Sequence, residues 1–293
     1  MTNHLTTSFG DEAAGFIKRH ANAPWFLYLA FNAPHMPHQP TPERLAKFAH
    51  LGNTNRARYA AQVSLMDDAI GATLDAVKQT GQESRTLVFF FSDNGGPVTS
   101  GADNAPLRGV KGMVYEGGVR VPFVVSWPGR IPSGRDYAPP VSSLDVFATA
   151  LACAGVPMPK NHKFDGMNIV PFLAGEQQGV PHERLFWRTG GDERWAVREG
   201  DWKLVRFKDK PDALYNLATD IGETNDLATL KPEVAGRLSA ALDAWNKELV
   251  DPAFLGSSVK NEDWGPGGAN QRKRESQKPK QEKAKAPAAA RSP

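Results

Sequence analysis

Four side chains in three stretches of the sequence are suited to handling a charged oxygen: His35, the adjacent Asp93 and Asn94, and Lys111. Asp93 and Asn94 end the apolar run in FFFSDNGG (89–96). A carboxylate and an amide carbonyl are hard oxygen donors, suited to Ca²⁺ or Mg²⁺ rather than a soft metal. Two donors cannot complete a calcium shell of about six to eight oxygens. Asn-Gly is also a strong turn dipeptide, so DNGG alone reads either as a turn or as half of a metal loop. His35 lies in FNAPHMPH, where an imidazole could give a hydrogen bond or a proton to an oxyanion or a departing oxygen. Its i, i+3 spacing to His38, in a proline-rich loop, is weak support for zinc. Lys111 lies in PLRGVKGMVYEGGVRVPF (106–123), where glycines allow close backbone approach and Arg108, Lys111 and Arg120 supply positive charge. The plain readings of these last two pieces are a proline-braced surface histidine and a solvated basic loop.

The surrounding pattern must place these residues. WFLYLAF (25–31), TLVFFFS (86–92) and VPFVVSW (121–127) are continuous apolar runs, the form of strands covered on both faces. From Arg56 to Thr80, the residues Tyr59, Val63, Met66, Ile70, Leu74 and Val77 recur every three or four positions, predicting a helix with one core face closed by Gly81. Ser143 is placed to cap a helix running through Ala154 to Gly155. Alternating strands and helices indicate an α/β layered domain with a mostly parallel sheet. In this geometry ligands collect at the carboxyl ends of strands, where Asp93 and Asn94 stand. Near residue 180 the texture changes. RLFWR, RWAVREG, DWKLVRF and ALYNL predict an antiparallel meander, and residues 232–250 an amphipathic helix. The expected division is 1–178 as an α/β layer, 179–256 as a small antiparallel sheet plus helix, and 257–293 as a disordered basic tail.

The 293 residues are 40% apolar and 23% charged, ordinary for a globular chain long enough to bury a core. The net charge of +3 belongs to the tail: residues 260–293 hold nine Lys/Arg against four Asp/Glu, leaving 26 basic and 28 acidic residues elsewhere. The body's charge gives no support for nucleic-acid binding. No apolar run has the length of a membrane span, and MTNHLTTSFGDEAAGF does not read as a signal peptide. The single cysteine, Cys153, rules out an intrachain disulfide and is expected to be a small buried hydrophobe.

The three blocks PWFLYLAFNAPHMPHQP, FFFSDNGG and PLRGVKGMVYEGGVRVPFVVSWPGRI, in that order and spacing, resemble the later part of a sulfatase of the alkaline phosphatase superfamily. FDGMNIVPFLAG (164–175) and ALYNLATDIGETNDLA (213–228) are similar to that family's later landmarks, so the resemblance covers essentially residues 1–250. It implies the later part of a layered sulfatase α/β domain with a small C-terminal antiparallel subdomain. It also implies roles: Asp93 and Asn94 as calcium ligands, Lys111 on the sulfate and the leaving oxygen, and His35 on the substrate near the scissile oxygen. Glu116 and Arg120 fall in the family string as loop supports.

Sulfatases generate their nucleophile, formylglycine, from the first residue of Cys/Ser-x-Pro-x-Arg in the early half of the fold. Ser126-Trp127-Pro128-Gly129-Arg130 fits those letters, but it ends a strand, follows the lysine block and lacks the usual Thr-Gly. Cys153 lacks the arginine. The precursor is therefore absent, and the calcium set is incomplete. The expectation is the C-terminal section of a calcium-dependent, arylsulfatase-like sulfuric ester hydrolase, inactive alone and lacking an N-terminal half. Its substrate would be a sulfated carbohydrate or aryl sulfate, and a full-length relative would be periplasmic or secreted. The alternatives are a pseudoenzyme that binds sulfated glycans, a truncated product, and a phosphodiesterase or phosphonate hydrolase of the same superfamily.

Overall fold

A computed structural model describes residues 4–189 and 193–250. The chain divides into two units, Met1–Gly256 and Ser257–Pro293. The second unit, and with it the expected disordered tail, lies outside the described residues.

Helix α1 (Leu5–Arg19) begins at His4, whose ring accepts the Thr6 amide, and it packs along α3 (Asn55–Gln79). Small residues set that contact: a Cβ added at Gly10 would lie 2.8 Å from the Ala69 Cβ. The short α2 (Pro42–Ala46) lies between them in sequence, capped by Thr41. Thr54 caps α3, and Gly81 follows its end at φ +67°. The helix is where the sequence predicts it, but its core face is different. Ala57, Ala61, Leu65, Ala69, Ala76 and, from the predicted face, Val77 are buried, while Tyr59, Val63, Met66 and Ile70 are half-buried and Leu74 is exposed. Close packing against α1 selects the alanine stripe, and side-chain size alone pointed to the neighbouring one.

Strands β1 (Val88–Phe91) and β2 (Phe123–Ser126) pair antiparallel, with Phe90 opposite Val124. The α/β class stands, but the expected mostly parallel sheet is not found among the described residues. Apolar runs report burial and carry no information on strand direction. Nor are both faces covered. Phe89, Phe91 and Phe123 cluster on one face, while Phe90 and Val124 are 40% and 54% exposed on the other. Residues 25–31 are extended but pair with no described strand. Trp25 and Leu27 pack on Ile17, Ala76 and Val77, while Phe26 and Tyr28 point to solvent.

Three short helices complete this part: α4 (Glu116–Val119) between β1 and β2, then α5 (Asp145–Cys153) and α6 (Val170–Ala174). Ser143 does not cap α5; the Asp145 carboxylate instead accepts the Ser142 amide at 2.7 Å. Cys153 is exposed, not buried as expected, because it ends that helix on its open side.

The C-terminal meander is as predicted. Strands β3 (Arg184–Thr189), β4 (Arg194–Glu199), β5 (Trp202–Phe207) and β6 (Ala213–Asn216) form one antiparallel sheet in sequence order. Alternation sends Val197, Leu204 and Leu214 to one face, against Leu238 and Leu242 of α7 (Pro232–Asn246). Ala196, Val205 and Tyr215 go to the other face, which closes over Val114. Among the described residues no helix is long and apolar enough to cross a membrane.

Candidate active site

His35 follows the extended segment 25–31, in a loop whose Ala33–Pro34 and Met36–Pro37 bonds are cis. Its Nδ1 lies 2.7 Å from the Met36 carbonyl oxygen, which can only accept, so Nδ1 carries a proton. In the neutral ring Nε2 is then an acceptor, and it lies 3.3 Å from the Lys111 ammonium. Two residues 76 positions apart thus form one exposed hydrogen-bonded pair.

Lys111 sits between Gly109 and Gly112, at φ +88° and +83°, a backbone form that side chains with a Cβ resist. The loop is tied on both sides. Gly117 N–H donates to the Arg108 carbonyl at 2.6 Å, and the Gly112 carbonyl accepts from the buried Arg194 of β4 at 2.9 Å. Met113 and Val114 are buried behind it.

Asp93 and Asn94 leave the end of β1. Neither Asn94 nor Gly95 has a positive φ, and β1 does not pair with the segment that follows, so DNGG is not a hairpin turn. Its glycine serves close approach instead. The Gly95 N–H donates to the Gly118 carbonyl at 3.0 Å, and a Cβ on Gly95 would lie 1.8 Å from the Gly117 oxygen. Asn94 Nδ2 donates to Asp93 Oδ1 at 2.7 Å, leaving Asp93 Oδ2 and Asn94 Oδ1 as hard oxygens with no hydrogen bond among the described residues. These two fit as part of a calcium shell. Among the described residues no group of three or more His, Cys, Asp or Glu side chains could hold a metal, so the rest of that shell is not found there.

No side-chain hydrogen bond or ion pair joins Asp93 or Asn94 to His35 or Lys111 among the described residues. A residue unnoticed in the sequence links their loops. The Asn104 amide accepts the Gly96 N–H at 3.0 Å and donates to the Gly96 carbonyl at 2.7 Å and the Gly109 carbonyl at 3.2 Å. In the sequence, Asn104 looks like one more polar loop residue.

The other cations of the lysine block are engaged within the protein. The Arg108 guanidinium stacks over the Tyr115 ring at 4.1 Å and donates to the Glu223 carbonyl at 2.7 Å. Arg120 is exposed and lies 3.6 Å from Glu116. Glu116 is buried, 2.7 Å from the fully buried Lys203 of β5 and 3.6 Å from Arg198. Glu223 accepts the Glu116 amide at 2.7 Å and pairs with Lys203 at 3.0 Å. Burial pushes the Glu223 carboxyl up, and Lys203 pulls it back. This buried cluster fastens α4 to the C-terminal sheet.

Two further pieces are structural. His38 lies edge-on to Tyr59 at 5.8 Å with both ring nitrogens buried, and burial, with Arg58 and His35 nearby, pushes its pKa down. It forms no zinc site with His35. The sequence also concealed His182, whose Nε2 lies 2.8 Å from buried Asp145 and braces α5 against the start of the C-terminal sheet.

No described residue fits the role of the formylglycine precursor. Ser126 stands opposite Val88 in the β1–β2 ladder, and Cys153 ends α5. No hydrogen bond joins either side chain to His35, Asp93 or Lys111 among the described residues.

The sulfatase family matches residues 2–156, and the family described as N-sulphoglucosamine sulphohydrolase, C-terminal, matches residues 110–247. The chain is 34% identical over 289 residues to the uncharacterized sulfatase YdeN of Escherichia coli, covering 85% of this chain and 50% of that protein. It is 35% identical over 214 residues to mouse steryl-sulfatase, covering 69% of this chain and 33% of the enzyme. The crystal structure of Ps i-CgsB in complex with k-i-k-neocarrahexaose aligns with a TM-score of 0.82 at 32% identity, covering 93% of this chain and 60% of that one. The chain spans at most about half the length of these curated relatives. It belongs to the sulfatase family.

Proposed function

We propose that this chain contributes the leaving-group and part of the calcium-binding machinery of a sulfuric ester hydrolase acting on a sulfated carbohydrate. The observation that carries this reading is the Lys111–His35 pair at 3.3 Å, set on loops with fixed backbone. When the ester S–O bond breaks, negative charge grows on the bridging oxygen, and fixed donors are worth most where charge develops. Lys111 supplies a permanent cation to a sulfate oxygen or to the departing oxygen. Neutral His35 holds Lys111 in place through Nε2; when protonated, the ring can give its Nε2 proton to the alkoxide. Asp93 and Asn94 would hold a calcium ion, which when bound neutralises charge on the sulfate oxygens. The nucleophile is not among the described residues, and no bond-forming step is assigned to this chain.

The carbohydrate preference rests on extent of similarity. The structure of Ps i-CgsB in complex with k-i-k-neocarrahexaose aligns over 93% of this chain at 32% identity. We place the division of labour at residue 178: residues 1–178 carry the site loops and 179–256 support them.

Titration of the chain with a sulfated oligosaccharide in calcium tests the reading. Binding should weaken at least about tenfold in Lys111→Ala, the loss of a charge-assisted contact of about 1.5–3 kcal/mol. Unchanged binding in that variant overturns it. Sulfate release by the purified chain alone would place a nucleophile among its own residues, with Ser126 and Cys153 the first to replace.

A further inference from the structure

We infer that Asn104 is a positioning residue that couples the calcium loop to the lysine loop, so that an ion held at one tightens anion binding at the other. The inference rests on the functional reading above for what the loops bind, and on geometry alone for the coupling.

Asp93 and Asn94 lie two and three residues before Gly96, and Lys111 lies two residues after Gly109. The Asn104 side chain bonds both glycines at once. The Gly96 N–H requires an acceptor, while the Gly96 and Gly109 carbonyls require donors, so one amide orientation satisfies all three groups and the reverse would satisfy none. Asn is one of two side-chain types that combine a carbonyl acceptor with two N–H donors, and Gln would carry them one methylene further out. There is no slack for a longer side chain. A Cβ on Gly96 would already lie 2.2 Å from the Ala102 Cβ, so the calcium loop is pressed against the turn that bears Asn104.

The lysine loop is fixed at its far side to β4 through Arg194 and Gly112, and at its near side to the calcium loop through Asn104 and Gly109. The route from Asp93 to Lys111 therefore runs through one amide in addition to the backbone contact of Gly95 with Gly118. If this amide loses its donors, each loop keeps its own ligands while the distance between them is set by that backbone contact alone. That separates Asn104 from residues that bind directly.

The test uses the full chain and two variants. Asn104→Asp keeps the acceptor for Gly96 N–H and turns a carboxylate oxygen toward two carbonyls. Asn104→Ala removes all three bonds and serves if the aspartate variant fails to fold. Inorganic sulfate is titrated calorimetrically with and without Ca²⁺, and hydrogen exchange is followed in peptides covering 93–100 and 105–113. In the wild type, calcium should tighten sulfate binding about tenfold, within the usual range for coupled sites. In Asn104→Asp that factor should fall below about twofold, while calcium affinity measured alone stays within about threefold. It should recover as pH falls and the carboxylic acid regains a donor, with no recovery in Asn104→Ala. Both peptides should exchange faster in the variants, and residues 194–216 should not.

Persistence of the tenfold factor in Asn104→Asp, or faster exchange in only one loop, overturns the coupling. If calcium leaves sulfate binding unchanged in the wild type but both loops still loosen together, the clamp stands and the calcium–sulfate reading of the loops falls.

Discussion

The two sheets of this chain differ in how completely they are covered. Around the C-terminal sheet, Val197, Leu204, Leu214, Leu238 and Leu242 are all fully buried, and its second face closes over Val114. Around β1 and β2, Phe90 and Val124 stand open, as do Phe26 and Tyr28 on the neighbouring extended segment, the latter 77% exposed. The first sheet has two strands, too few for independent stability without further packing, whereas the second has four strands and a helix. Yet the site residues lie on the open side. They are held there by bonds from the closed one: Arg194 to Gly112, Lys203 to Glu116, and Arg108 back to Glu223. The C-terminal layer therefore does more than finish the core. It forms the fixed wall against which the lysine loop is set.

The strongest way to break this contrast is to remove the cation between the layers. Lys203→Met leaves the buried Glu116 and Glu223 carboxylates without their shared partner, a change that costs about 3–5 kcal/mol. Urea unfolding should show this as a large drop in midpoint. A loss below about 1 kcal/mol would mean that Arg198 and Arg120 already carry Glu116 and that the layers are joined mainly by packing.

Truncation tests the same contrast within each layer. Leu242→Ala empties space in a closed core and should cost about 2–5 kcal/mol, whereas Val124→Ala, on the open face, should stay within about 0.5 kcal/mol. Equal losses in the two variants, read from denaturation midpoints, would show that the β1–β2 face is covered in solution.

The same difference explains which features were legible in the sequence. The meander could be read because each strand alternates between two covered faces and its turns are short, so pattern and burial agree. On the open side they disagree. Continuous apolar runs at 25–31, 86–92 and 121–127 imply two covered faces, which the described residues do not supply, and they cannot report strand direction. The α3 face departs from the pattern for a related reason: apart from Leu65 and Val77 its large apolar residues remain half-open or exposed, while Ala69 makes the tight contact with Gly10 of α1. The candidate site residues His35, Asp93, Asn94 and Lys111 were proposed from motif order. Asn104 and Arg194 were not, since they bond backbone atoms, Asn104 five and eight residues away and Arg194 82 residues away, and such bonds leave no side-chain pattern in the sequence.

Acidity gives a smaller effect, with its sign fixed by Glu223. Burial holds its carboxyl above the ordinary glutamate value in the folded chain. The folded state therefore binds a proton here at a pH where the unfolded chain has released it. Its contribution to stability is fully present below the ordinary glutamate pKa and is lost as pH rises through the raised folded value. The melting temperature of the wild type minus that of Glu223→Gln should accordingly fall as pH rises from about 4 to 7. A difference that grows with pH would mean that Lys203 outweighs burial and holds Glu223 ionised.

The smallest expected change in stability is also the most direct probe of the open face. Phe90 and Val124 are cross-strand neighbours, so Phe90→Ser with Val124→Thr converts one contiguous apolar patch to a polar one. Because both side chains already face water, the double variant should unfold within about 0.5 kcal/mol of the wild type. Exposed apolar patches drive association, so its sedimentation should show less self-association at equal concentration. Joining the chain to the remaining length of a relative should reverse the sign. If that segment covers β1 and β2, the same two substitutions become buried polar groups, costing about 1–3 kcal/mol each. A double variant that destabilises the chain alone just as strongly would show that the face is already covered, by a second copy or by residues beyond those described.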